Sequence, residues 1–112
     1  MHPASWLVTN DIGLYCKPGD FYIDPMNVVN TALITHGHAD HARAGHHTVY
    51  ARRETLAIMK TRYGENMANT QREIELGRSV QFNDVTVTFF PAGHILGSTQ
   101  ILIEYAGYRV VV

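Results

Sequence analysis

Residues 36–41 read His-Gly-His-Ala-Asp-His. Three imidazoles and a carboxylate within six positions are the nitrogen and oxygen donors that zinc and manganese sites use. With seven histidines among 112 residues, chance places an H-x-H-x-D-H pattern somewhere in such a chain about once in a thousand. His36 and His38 can converge on one ion, and Gly37 between them is expected to let the backbone turn tightly. Asp40 and His41 are adjacent and cannot easily aim at the same point as the first pair. Two ions a few ångströms apart therefore suit the pattern better than one. His94, in Pro91-Ala92-Gly93-His94-Ile95-Leu96-Gly97-Ser98, is the natural third imidazole for the ion of His36 and His38. Three protein ligands with an open water position is the common catalytic zinc arrangement. His46 and His47 bring the run to five histidines within twelve residues. They lie outside the motif and read as ordinary surface or core residues, and His2 has no part. Asp24 has two readings: a turn residue ending a strand, or a carboxylate that accepts the ring N–H of a ligating histidine. Arg43, Arg52 and Arg53 follow the cluster and are of a type that contacts phosphate, although each reads first as solvated surface.

The elements that must position these residues are short. Leu7–Thr9, Ile12–Cys16, Phe21–Asp24, Val28–Thr35 and Thr48–Ala51 read as strands, with Ala32-Leu33-Ile34 as a fully buried stretch. The histidine motif begins where that stretch ends. Leu56, Met59 and Tyr63, with Ile58 alongside, have helical spacing over Arg52–Tyr63, closed by Gly64. Glu65–Gln71 reads as a loop. From Glu73 the period becomes two, through Ile74, Leu76, Val80 and Phe82. After the turn at Asn83-Asp84, Val85, Val87 and Phe89 share one face, and Thr86, Thr88 and Phe90 the other. Thr99–Tyr105 and Tyr108–Val112 are the last strands, joined by Ala106-Gly107. Many short strands with one clear helix describe a sheet-dominated α/β or α+β domain, mostly antiparallel or mixed.

Composition sets limits. Apolar residues are 46% and charged residues 17% of the chain, an ordinary globular balance. Nine Lys and Arg against ten Asp and Glu leave a net charge of −1, so charge alone does not point to nucleic acid. The single cysteine, Cys16, rules out an intrachain disulfide framework and a Cys-based zinc ribbon. The start lacks a basic n-region and an apolar h-region, and no run approaches the roughly 18 apolar residues of a spanning helix. The expectation is a soluble, cytoplasmic protein with no membrane partner.

Leu33-Ile34-Thr35 followed by the motif at 36–41 resembles the signature of the metallo-β-lactamase fold hydrolases. Asp24, in Phe21-Tyr22-Ile23-Asp24-Pro25, matches the acidic residue ending an early strand of that family, and His94 matches its later histidine. The segment Pro91–Ser98 resembles the nuclease branch that carries a beta-CASP domain. The stretch Gly13–Pro25, together with Thr35–Gly45, looks most like the bacterial DNA-ligase-associated exonucleases. The resemblance implies an αββα sandwich with metals at one edge of two sheets. It implies that His36, His38 and His94 hold one metal, that Asp40 and His41 contribute to a second, and that Asp24 orients the motif from behind. Two divalent ions are implied, zinc first and manganese as the alternative, with Asp40 and His38 carrying catalysis. Arg43 and Ser98 are the candidate phosphate contacts. The implied activity is phosphodiester hydrolysis, a DNA exonuclease working in repair with a DNA ligase or helicase, with DNA favoured over RNA as substrate.

In that family a bridging aspartate ends the next strand. Here Tyr108–Val112 is the strand that would deliver it, so residues 1–112 are expected to be the N-terminal half of a larger enzyme, lacking the second half and the beta-CASP insert. At this length the chain is expected to supply one sheet and its helix but not the second, leaving uncovered either the face of Val85, Val87 and Phe89 or that of Phe90. An RNA-processing nuclease, a thioester or lactone hydrolase of the same fold, and a metal-binding fragment without catalysis are the rival readings. Residues 1–112 alone should bind a divalent metal weakly and cleave labelled single-stranded DNA or RNA little or not at all. Robust cleavage abolished by chelator and by His38→Ala would contradict that.

Overall fold

In the computed structural model, residues 2–38, 41–92 and 98–112 are described. A 3-10 turn at Pro3–Ser5 leads into β1 (Leu7–Thr9), β2 (Leu14–Cys16), β3 (Phe21–Ile23), β4 (Thr31–Leu33) and β5 (Thr48–Ala51). The helix α1 (Arg53–Tyr63) precedes β6 (Thr70–Glu73), β7 (Ser79–Phe82), β8 (Val85–Pro91), β9 (Thr99–Tyr105) and β10 (Tyr108–Val111). The first six strands form one sheet in sequential order, and the last four form a second in the order β10-β9-β8-β7. Pairing is antiparallel from β1 to β3 and parallel from β3 to β6; the second sheet is wholly antiparallel. The mixed α/β class expected from the sequence is the one observed.

Period-two alternation explains the layers. Leu33 faces one way with Phe21 and Ile23, into a core shared with Val85, Val87, Phe89, Ile101 and Ile103 of the second sheet. Ala32 and Ile34 face the other way, with Val49 and Ala51, and pack against Leu56 and Met59 of α1. The first sheet is therefore the middle of three layers. This corrects the expectation of a single sheet: Val85, Val87 and Phe89 are at most 1% exposed because β1–β6 already cover them. The strands are short enough that 112 residues make both sheets.

Several boundaries differ from the sequence reading. The strand expected over Val28–Thr35 is regular only at Thr31–Leu33, because Val28 is exposed and residues 24–30 form the connection from β3. β6 begins inside the expected loop, at Thr70 and Gln71; its residues are polar, and as an edge strand it contributes backbone hydrogen bonds rather than core side chains. Tyr63 is exposed, so the packing face of α1 is Thr55, Leu56 and Met59. Gly64 ends the helix with φ 96°, its N–H donating to the Lys60 carbonyl at 2.8 Å, as a C-terminal glycine does.

Because β4 and β5 are parallel neighbours, the chain must cross from the C-terminal end of one to the N-terminal end of the other. The histidine motif is the first stretch of that crossover. Phe89→Ala should lower unfolding stability by about 3–5 kcal/mol, the usual cost of emptying an aromatic core site. Urea unfolding measures it; a loss under about 1 kcal/mol would mean the two sheets do not pack in solution as described.

Candidate metal centre

Asp24 follows β3 directly, with φ 48°, a left-handed conformation that short polar residues tolerate best. Its N–H donates to the Leu33 carbonyl at 2.9 Å, which ties it to the end of β4. Its carboxylate then gathers three donors. Oδ1 accepts the Thr35 N–H at 2.8 Å. Oδ2 accepts the Thr35 hydroxyl at 2.6 Å and lies 3.0 Å from His41 Nδ1. A carboxylate only accepts, so His41 carries a proton on Nδ1 in this bond. Of the two readings of Asp24, the geometry is that of a carboxylate orienting a histidine. That carboxylate is 15% exposed, so water competes weakly for the bond.

The backbone after Thr35 turns at once. The N–H groups of His41 and Ala42 both donate to the His38 carbonyl, at 2.9 and 2.8 Å. The His36 ring lies 4.8 Å from the His38 ring and 4.0 Å from the His41 ring, centroid to centroid. Three imidazoles of the motif thus stand side by side at the C-terminal end of β4. Asp40 and His94 lie outside the described residues. Among the described residues, no three His, Cys, Asp or Glu side chains form a complete metal-holding group. As a donor set, three neighbouring imidazoles with one ring fixed by a carboxylate fit a borderline divalent metal.

Gly37 has a packing role that its place in the sequence does not show. Its φ is not left-handed. A Cβ there would lie 3.0 Å from Ile58 side-chain carbons, so the missing side chain lets the histidine loop rest on α1.

Thr35 was not singled out by sequence. It also joins the two sheets: its carbonyl accepts the Thr99 N–H at 2.8 Å and the Thr99 hydroxyl at 3.1 Å. The Ala92 N–H donates to the Ser98 carbonyl at 3.0 Å, pinching together the ends of the segment that carries His94 in sequence. Ser98 is buried. A threonine immediately before a ligand cluster at a strand end is the signal that would have found Thr35.

The remaining candidates separate. Arg52 donates to the Ile74 carbonyl at 2.6 Å and pairs with Glu54 at 3.5 Å, bracing α1 against the chain after β6. Arg53 is 73% exposed, 3.7 Å from Glu54. His46 is fully buried, and its Nδ1 accepts the Val29 N–H at 3.1 Å. The proton is therefore on Nε2, which has no hydrogen-bond partner.

A family model described as "Beta-lactamase superfamily domain" matches residues 9–111. The chain belongs to this superfamily. It is 31% identical over 101 residues to a probable DNA ligase of Opitutus terrae, covering 89% of this chain and 10% of that protein. It is also 31% identical over 128 residues to the Endoribonuclease YSH1 of Mycosarcoma maydis, covering 80% of this chain and 14% of that one. The chain therefore spans a small part of these superfamily relatives. Among solved structures, the MIM-2 metallo-β-lactamase superposes with a TM-score of 0.65 at 19% identity, over 94% of this chain and 52% of its own. That likeness carries the fold, which agrees with the layers described above.

Two predictions follow from this geometry. Asp24→Asn should weaken zinc binding roughly 10- to 100-fold, as loss of a carboxylate behind a ligand histidine does. Competition against a colorimetric chelator measures it; unchanged affinity would remove Asp24 from the site. Burial pushes the His46 pKa below the ordinary imidazole value. The unfolded chain takes up that proton near pH 6.5 and the folded chain does not, so stability is lost as pH falls below about 6.5. The stability advantage of wild type over His46→Asn should shrink between pH 7.5 and 5 in urea titrations. A constant difference would mean that His46 protonates as easily folded as unfolded.

Proposed function

We propose that this domain is the metal-dependent phosphodiester hydrolase centre of a nucleic-acid enzyme, a DNA exonuclease acting in repair alongside a DNA ligase. The observation that carries the reading is the Asp24 carboxylate bound at once to Thr35 and to His41 Nδ1. Such a bond has a purpose when the opposite ring nitrogen must be held as a ligand. His36, His38 and His94 would hold one ion, and Asp40 with His41 would contribute to the second, zinc first and manganese as the alternative. When bound, such ions lower the pKa of a coordinated water to about 7 and stabilise charge on the attacking and leaving oxygens.

The chain's own residues do the rest. Asp24 keeps the His41 proton on Nδ1. Thr35 sets the loop's departure from β4, and Gly37 seats it on α1. Asp40 would align the attacking water and take its proton, and His38 completes the catalytic pair. Arg43 and Ser98 would be the phosphate contacts. The name of one superfamily relative, a probable DNA ligase, supports DNA as substrate. The other, an endoribonuclease, is the observation that keeps RNA as the second reading. Among the described residues no helix is long and apolar enough to cross a membrane, and the proposed setting is cytoplasmic.

The natural protein that carries these residues should release nucleotides from labelled single-stranded DNA with zinc or manganese, faster than from RNA of the same sequence. His38→Ala should lower that rate by at least about 100-fold. Thioester or lactone hydrolysis without phosphodiester cleavage would overturn the proposal.

A further inference from the structure

Beside the turn that ends the histidine motif lies a groove of about 370 Å³ lined by Met26, Asn27, Val28, Arg43, Ala44 and Tyr63. Its apolar members are unusually open for their type: Met26 is 56% exposed, Val28 66% and Tyr63 38%. None of the six lining residues is acidic. Among the described residues, Arg43 forms no ion pair with a carboxylate and its buried Nε has no hydrogen-bond partner. The Arg62 guanidinium sits 5.6 Å from the centre of the Tyr63 ring. The groove thus combines a cation, Arg43, with an exposed aromatic ring and aliphatic side chains, and a second cation, Arg62, lies by that ring.

We infer that this groove is a binding track for single-stranded nucleic acid, feeding the strand toward the metal centre. This rests on the phosphodiesterase reading and adds the path by which substrate approaches. The argument is charge and shape together. A purely apolar partner would leave the Arg43 guanidinium desolvated without an anion, which is costly. A simple anion would leave Met26, Val28 and Tyr63 uncovered. A nucleotide answers both: its base lies against Tyr63 between the aliphatic side chains, and its phosphate accepts from Arg43. Base stacking on an aromatic ring beside cationic phosphate contacts is how proteins hold single strands without reading sequence. Arg43 is two residues beyond His41, so a phosphate held there is near the loop that does the chemistry.

The test is binding of a fluorescent oligothymidylate to the full chain in EDTA, followed by anisotropy, with thermal unfolding as the check of fold. Tyr63→Ala should weaken binding about tenfold, and Tyr63→Phe, which keeps the ring, should not. Arg43→Gln should weaken it and reduce the slope of log affinity against log salt by about 0.7, the loss of one single-strand phosphate contact. Wild-type affinity and salt slope in folded Tyr63→Ala and Arg43→Gln would overturn the track, as would absence of oligonucleotide binding by wild type. A Tyr63→Ala protein that binds normally while Arg43→Gln does not would reduce the groove to a simple anion contact and overturn it too. Binding that needs Arg43 and Tyr63, in a natural protein that cleaves no phosphodiester, keeps the track and removes the hydrolase reading. Cleavage with binding indifferent to both residues does the reverse.

Discussion

The carboxylate of Asp24 occupies the one position where three requirements meet. Its two oxygens take the backbone N–H and the hydroxyl of Thr35, the last residue before the histidine motif, and the Nδ1 proton of His41 near the motif's other end. Hydrogen bonds to a charged acceptor contribute about 1.5–3 kcal/mol each when water is kept away. The loop between those anchors is therefore clamped at both ends by a single side chain. The clamp needs the chain to leave β3 with Asp24 in a left-handed conformation, and the bond from the Asp24 N–H to the Leu33 carbonyl offsets that cost.

The same few residues settle how the two sheets meet. Thr35 receives Asp24 on its donors and Thr99 on its carbonyl. Thr99 opens β9 in the second sheet, so the motif's end of β4 and the start of β9 are bound at one point. The cores on either side of the first sheet hold this junction rigid: large side chains from both sheets on one face, small ones against α1 on the other. Alanine at positions 32, 42 and 51 lets the helix lie close, and Gly37 extends that close approach to the histidine loop. The site is built where the chain crosses over between parallel strands, on an end that both sheets support.

The sequence made much of this legible, and the failures have physical causes. Strands β1, β3, β5, β9 and β10 could be read from the sequence to within a residue at either end. β6 could not, since a polar edge strand is held by its backbone, and backbone pairing leaves no mark on side-chain pattern. The histidine cluster was legible from spacing alone, and Asp24 was legible as one of two alternatives. Its contact with His41 was not, since a contact across 17 residues has no local signature. The packing of Gly37 on Ile58 was not legible, because sequence reports a missing side chain but not which neighbour fills the space. The second sheet was missed by counting residues, a measure that ignores how short these strands are. The Arg43 groove was visible only as one arginine near a motif, since Met26 and Val28, Arg43, and Tyr63 come from three separate segments.

The central claim is that Asp24 holds His41 with its proton on Nδ1 so that Nε2 faces a metal. Long-range proton–nitrogen correlation spectra of the imidazoles read this directly, because they show which ring nitrogen of each histidine is protonated. For His41 they should show a protonated Nδ1 in metal-free protein, and added zinc should move the Nε2 resonance while Nδ1 keeps its proton. A His41 protonated on Nε2, or a zinc-induced shift at Nδ1, would contradict the account at its base.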